Sequence, residues 1–149
     1  MTMKNVKNHL KLIFPSLSEN EALARLAVSG FLAGSGADVS VIAELKTAVS
    51  EGVTNAIVHG YRNSFGLVTL EIKLLSSGRV RIFIKDKGAG IEDIEKAMEP
   101  LFTTAPEEER AGLGFAIMQS FCDKLKVKST PHKGTTVTME KYIYKRNEP

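Results

Sequence analysis

The sequence predicts a two-layer α/β sandwich in a single domain: a mostly antiparallel, mixed sheet covered by helices on one face. Three observations lead there. Strand-like alternations come in pairs joined by tight turns, at 68–85 and 125–139, and such pairs build antiparallel hairpins. Two amphipathic helical stretches separate the first strand from those pairs, which suits one helical layer on one sheet face. The length of 149 residues, with 43% hydrophobic and 25% charged residues, is that of one soluble domain able to bury a core.

Taken in order, residues 1–8 are polar and expected to be loose. His9 to Phe14 reads as a strand ending at Pro15, with Leu10, Leu12 and Phe14 alternating with His9, Lys11 and Ile13. It can pair within the chain or with a second copy. Ser18-Glu19-Asn20-Glu21 fits a capping box that opens a helix. Leu23, Leu26, Ala27 and Phe31 are its expected core stripe, and Arg25, about 200° from Leu23, points outward. That helix ends in Gly34-Ser35-Gly36. A second helix is expected from Val39 to His59, capped by Asp38 and stopped by Gly60 in the left-handed conformation. Ile42, Leu45, Val49, Val53 and Ile57 form its buried stripe. A hairpin follows, Val68–Leu74 and Val80–Lys85 around Ser76-Ser77-Gly78. Glu92–Met98 is a short helix, Pro100–Ala111 a loop of the length that binding lids have, and Gly114–Phe121 a helix. Leu125–Val127 and Val137–Met139 close the chain as strands.

Composition narrows the function classes. Twenty basic against 17 acidic residues leave a net charge of +3. No dense basic run accompanies that balance, so direct nucleic-acid binding is not expected. The single cysteine, Cys122, cannot form an internal disulfide and reads as a small buried hydrophobe. No early apolar run resembles a signal peptide, and none reaches the roughly 18 residues of a membrane span. A cytoplasmic protein without membrane contact is the expectation.

Three motifs carry chemistry. Glu51 and Asn55 are one helical turn apart and share a face. They read either as a solvated pair or as a reactive one. In the second case Asn55 offers a neutral oxygen to a hard cation such as Mg²⁺, and Glu51 can accept a hydroxyl proton. Ala48, Gly52 and Ala56 beside them lack bulk, which points to a close approach along this face. His59 continues the stripe, or simply sits well at a helix C-terminus. Asp86-x-Gly88-x-Gly90 leaves a strand. It is a tight turn or a place where a carboxylate accepts an exocyclic amine while glycines let backbone approach a flat ring. A dinucleotide fingerprint fits poorly, because no βαβ pattern surrounds it. Gly112-Leu113-Gly114-Phe115 reads as a helix opening, either a flexible cap or a cradle for phosphate, with Arg110 just before it.

Glu51-x-x-x-Asn55, Asp86-x-Gly88-x-Gly90, Gly112-x-Gly114 and Gly134-Thr135-Thr136 together resemble the four ATP-binding boxes of the GHKL superfamily, whose nucleotide fold is of the Bergerat type. Within it, Val49–Tyr61 and the stretch from Pro100-Leu101-Phe102-Thr103-Thr104 to Gly114-Phe115 are most similar to the small bacterial anti-sigma factor serine kinases of sporulation. The likeness runs from about His9 to Tyr144. It implies Glu51 as general base and Asn55 as Mg²⁺ ligand. It implies Asp86 on the adenine amine with Thr135 in support, and Gly88 and Gly90 shaping the pocket. Thr104 to Gly114 become an ATP lid, with Arg110 near the γ-phosphate and with Gly112, Leu113, Gly114 and Phe115 among the nucleotide contacts. Arg25 matches a family arginine that docks protein partners. The implied activity is dual: a homodimer that silences a sigma factor of the sigma F type and, with ATP, also phosphorylates a serine of a small anti-anti-sigma factor; the implied cofactors are ATP or ADP and Mg²⁺.

Other functions fit less well. A histidine-kinase catalytic domain lacks a preceding helix with a phosphoacceptor histidine, and a DNA-processing ATPase of the superfamily is expected to need further domains. A regulator that binds nucleotide without phosphotransfer has no use for Glu51. A stress-response kinase of the anti-sigma B kind shares the boxes and stays open at this point, since the partner and not the pocket distinguishes it.

Overall fold

The computed structural model describes residues 5–62, 64–99 and 106–144, with side chains in the last segment from 113 onward. Five strands form one sheet: β1 (Val6–Pro15), β2 (Leu67–Leu75), β3 (Arg79–Asp86), β4 (Lys124–Thr130) and β5 (Gly134–Tyr142). The order is β1-β2-β3-β5-β4. Each neighbouring pair is antiparallel, so among the described residues the sheet is not mixed as the sequence predicted. Strand alternation holds. Val68, Leu70, Ile72, Val80, Ile82 and Ile84 are buried under the helices. The opposite face carries charge, with Arg81 on Glu140 at 2.6 Å and Lys73 over the Phe83 ring at 5.5 Å. The two edges, β1 and β4, are rich in lysine, as at Lys11, Lys124, Lys126 and Lys128, which discourages unplanned strand pairing.

The helices are α1 (Asn20–Leu32), α2 (Val39–Asn55), α3 (Ile94–Met98) and α4 (Pro106–Phe121). In α1 the buried residues are Ala24, Val28 and Leu32, whereas Leu23 and Leu26 are 42% and 69% exposed. The expected stripe is thus rotated. Small Ala24 and Val28 let α1 lie close against α2, and Arg25 stays outside. The capping box is also absent: Glu19 holds the cap position without a side-chain bond. Glu21 turns instead to the Ser50 hydroxyl and to Arg25, 3.0 Å away.

Helix α2 is the centre of the helical layer. Val41, Leu45, Val49 and Val53 are buried beneath it, and Asp38 caps it through its carbonyl, which accepts the Ile42 amide at 3.0 Å. Gly52 has a packing reason. A Cβ there would stand 2.5 Å from Ile84 Cδ1 and 3.5 Å from Met139 Cε, so the close approach anticipated along this helix is by the sheet.

At Asn55 the α-helix does not continue to His59. Residues Ala56–Gly60 form a π turn, in which the Tyr61 amide reaches back to Ala56 O at 3.0 Å. Gly60 is not left-handed. Its carbonyl is presented sideways and accepts the Ala89 amide at 2.7 Å. Single π turns of this kind recur at functional sites.

Helix α4 begins at Pro106, eight residues before Gly114. The sequence pattern does not reveal its first two turns. A proline at the first helical position loses nothing, because its amide would be unpaired there anyway, and three glutamates follow it in the sequence, the charge that a helix N-terminus favours. Residues 100–105 of the expected loop lie outside the described residues. No helix among the described residues is long and apolar enough to cross a membrane.

Candidate functional site

The sheet fixes one end of the site. Asp86 is the last residue of β3 and stands opposite Thr135 of β5. The Asp86 carboxylate accepts the Gly88 amide at 2.9 Å, so it does close a tight turn. It also receives the Thr135 amide. Burial raises its pKa above the ordinary 3.8, and the Gly88 and Thr135 amides oppose that rise.

The loop after it is tied amide by amide. Lys87 donates to the Tyr61 hydroxyl at 2.8 Å, Ala89 to Gly60 O at 2.7 Å, and Ile91 to Ser129 Oγ at 2.7 Å. The Ala89 carbonyl accepts from the His132 amide at 2.6 Å. Backbone this close excludes side chains: a Cβ on Gly88 would meet Gly60 O at 2.1 Å, and one on Gly90, where φ is +73°, would meet Thr130 O at 2.2 Å.

Helix α2 supplies the other end. Asn55 Nδ2 is buried and has no hydrogen-bond partner among the described residues. A buried polar group without a partner needs an explanation, and a ligand is one. The neutral amide can turn either its oxygen or its nitrogen to that space. Glu51, one turn earlier, is half-buried. Burial raises its carboxyl above the ordinary 4.5, and the charge of Glu21 adds to the rise. Gly114 of α4 lies against both side chains. A Cβ there would be 3.1 Å from Asn55 Nδ2 and 3.3 Å from Glu51 Oε2.

Between the two ends is a cavity of about 450 Å³, lined by Asn55, His59, Gly60, Asp86, Gly90, Phe115 and Thr135, with Ile84, Ile91, Ala97 and Val137 as apolar wall. That volume suits a drug-sized or nucleotide-sized ligand. Asn55, Asp86, Gly90, Phe115 and Thr135 are therefore brought together around one space. Glu51, Gly88 and Gly114 stand behind its lining. Leu113 is 53% exposed, and Arg25, exposed on α1 and paired with Glu21, is not among the cavity's lining residues. Thr104 lies outside the described residues. The backbones of Arg110 and Gly112 are in α4, and their side chains are outside the described residues.

One expectation is corrected. Gly112 to Phe115 do not open a helix. They lie well inside α4 and so are not the exposed amides of a helix N-terminus. The glycine at 114 serves close helix packing over Glu51 and Asn55 instead. Sequence reasoning also missed Tyr61 and Ser129. Tyr61 is buried, donates to Leu67 O at 2.6 Å and clamps the Lys87 amide. An aromatic residue directly after Gly60 was its one available signal.

The donor set fits a magnesium nucleotide. Mg²⁺ takes oxygen ligands, few of them from protein when phosphates and waters supply the rest, and the Asn55 side chain on the cavity wall offers such an oxygen.

Comparison with known proteins agrees with this geometry. Residues 14–141 match the family model described as the histidine kinase-like ATPase domain. The chain is 54% identical over 136 residues to an anti-sigma F factor of Thermoanaerobacter sp. (strain X514), covering 91% of this chain and 94% of that protein. It is 48% identical over 141 residues to an anti-sigma F factor of Geobacillus sp. (strain WCH70), covering 94% and 96%. Among solved structures, that of the RsbU and RsbW domains of Rv1364c from Mycobacterium tuberculosis superposes with a TM-score of 0.68 at 24% identity. It covers 92% of this chain and 33% of the longer one, and shows likeness of fold.

Proposed function

This chain belongs to the anti-sigma F factor family within the histidine kinase-like ATPases, a kinase-type anti-sigma factor, and on that premise we propose which atoms act and on what. The observation that carries the reading is the cavity lined by both Asn55, whose buried Nδ2 has no partner among the described residues, and Asp86.

ATP occupies that cavity with its adenine amine on Asp86, supported by Thr135, and with Phe115 against the nucleotide. Gly88 and Gly90 hold the loop close to the ring. Asn55 holds Mg²⁺, which neutralises phosphate charge when bound. Glu51 accepts the proton of a serine hydroxyl on a small anti-anti-sigma protein. The serine oxygen bonds to the γ-phosphorus as the bond to the bridging oxygen of ADP breaks. The raised pKa of Glu51 makes it a stronger base than an exposed glutamate. Thr104, Arg110, Gly112 and Leu113 belong to the segment that closes over the phosphates.

Arg25 docks the protein partners, the sigma factor (of the sigma F type) and its antagonist. Its exposure and its ion pair with Glu21 at 3.0 Å leave it on a surface that a partner can reach. The open edge of β1 supports a homodimer. Function in the cytoplasm, where sigma factors act, follows from the same reading. The anti-sigma F relatives favour a sigma F-type partner over the stress-response alternative.

Glu51→Gln tests the assignment. Calorimetry with Mg·ATP is expected to show affinity within about twofold of wild type, while transfer of radiolabelled phosphate to the partner serine falls by a factor on the order of 10²–10⁴. Undiminished transfer would remove Glu51 as the base.

A further inference from the structure

Ser129 sits on β4 directly across from Thr135 of β5, half-buried on the helix-covered face. Its one hydroxyl has three neighbours. Oγ accepts the Ile91 amide at 2.7 Å, lies 3.1 Å from Gly134 O, and lies 2.8 Å from Thr135 Oγ1. The protons can be assigned. A carbonyl oxygen can only accept, so the Ser129 proton goes to Gly134 O. The bond between the two hydroxyls must then use the Thr135 proton. Ser129 Oγ thereby accepts twice and donates once, a full set for a hydroxyl. The Thr135 hydroxyl is committed as donor to Ser129, so at the cavity that Thr135 lines it has only lone pairs to offer. The carboxylate beside it, Asp86, is an acceptor as well.

We propose that Ser129 is a positioning and specificity-determining residue for the nucleotide base. It anchors the Gly90 loop through the Ile91 amide and commits the Thr135 proton. The pocket then presents two acceptors side by side to position 6 of a purine. A 6-amino purine supplies the hydrogen that such a pair needs. A 6-keto purine turns an oxygen toward two oxygens, and a site built for a donor strongly rejects an analogue that lacks it. This inference rests on the ATP reading of the same cavity.

Without the Ser129 hydroxyl two things change. The Ile91 amide loses its partner, which loosens the loop. The Thr135 hydroxyl is released to rotate and can donate to a keto oxygen. The first change weakens every nucleotide, and the second helps only the keto base. Ser129→Thr keeps a hydroxyl at the same place on a residue that suits a strand.

The experiment is titration calorimetry of the full chain with Mg·ATP and Mg·ITP, on wild type, Ser129→Ala and Ser129→Thr, each verified as folded by its thermal melt. Wild type is expected to prefer ATP. Ser129→Ala is expected to lose about tenfold in ATP affinity with ITP affinity held near the wild-type level, so the ATP-to-ITP ratio drops about tenfold. Ser129→Thr is expected to restore the ratio. Equal proportional losses for both nucleotides in Ser129→Ala would reduce Ser129 to structural support and overturn the proposal, as would an unchanged ratio. If Ser129→Ala does not fold, Ser129→Cys, a weak donor and acceptor, takes its place: a lowered ratio supports the proposal and an unchanged one overturns it. Wild type that binds neither nucleotide sinks the ATP reading itself, an outcome separate from any behaviour of the variants.

Discussion

Gly114→Ala separates stability from catalysis within one methyl group. The residue is interior to α4 and has ordinary helical backbone, so alanine there gains about 1 kcal/mol of helix propensity. The added Cβ would lie 3.1 Å from Asn55 Nδ2, 3.2 Å from Asn55 Oδ1 and 3.3 Å from Glu51 Oε2. Each distance is a few tenths of an ångström too short, so both side chains must shift by about that much. The crowding offsets part of the propensity gain, leaving a net change of roughly 0 to +1 kcal/mol, or a rise in melting temperature of at most about 4 °C for a chain of this size. The reactive end is less tolerant. A displacement of about 1 Å costs on the order of 10²-fold in rate, so if Glu51 is the base and Asn55 the metal ligand, a few tenths of an ångström at both should cost roughly tenfold in phosphate transfer. The assay pairs a thermal melt with radiolabel transfer at saturating Mg·ATP. Wild-type transfer rates in the alanine variant would refute the placement of Gly114 against the reactive pair. A parallel fall in stability and rate would show ordinary packing damage instead.

Other perturbations read other parts of the site. If Glu51 is the base, it acts only when ionised, and its raised pKa moves the acid limb of the kcat/KM profile above the ordinary glutamate value of 4.5. A limb at or below 4.5 would contradict this. Asp86→Asn should lose nucleotide affinity yet leave the free protein at least as stable at pH 7. The folded carboxyl has a raised pKa, so its contribution to stability is present at low pH and is lost as pH rises through that value. Removing the charge cannot then destabilise at neutral pH through ionisation. Urea titrations at pH 4 and pH 7 check the sign, with the advantage of the asparagine variant larger at pH 7. Cys122 is half-buried and desolvation pushes its thiol up to about 12, so thiol-reactive dye should label the native protein at a small fraction of the rate seen in denaturant. Fast native labelling would show that the C-terminal end of α4 opens.

The strands were legible because their alternation has one interpretation. With period two, Val68, Leu70 and Ile72 can face only one way, and the burial agrees. Helix α1 was less legible. Apolar residues at 23, 24, 26, 27, 28, 31 and 32 make two overlapping stripes, and only the presence of α2 decides that the smaller side chains face inward. The first turns of α4 escaped because helix ends there are set by proline position and end charge, which carry no hydrophobic period. Asp86, Asn55 and Thr135 were legible as a family pattern, but Ser129 was not. Its partners are a backbone amide 38 residues away and a hydroxyl across the strand pair, and a lone serine between lysine and threonine announces neither. For the same reason Gly52 was only half legible. A glycine on a helix shows that something comes close, and only the packed structure shows that it is Ile84.

The two ends of the site are built from different material, and this predicts how errors propagate. At the base end, strand register sets Asp86 against Thr135, and amides at 87, 88, 89 and 91 already have partners. Little conformational freedom remains there for a ligand to remove, so binding at that end costs little entropy. The proposed reactive end depends on the packing of α4 over α2, where Asn55 Nδ2 has no partner among the described residues and Gly114 sets the gap. Substitutions in the loop from Asp86 to Ile91, or in Ser129, should therefore act on affinity and on the choice of base. Substitutions where α4 meets α2 should act on the rate of transfer at saturating nucleotide. If the chain holds nucleotide while it waits for a partner, as proposed, this division suits it, since the base end can stay occupied independently of events where α4 meets α2.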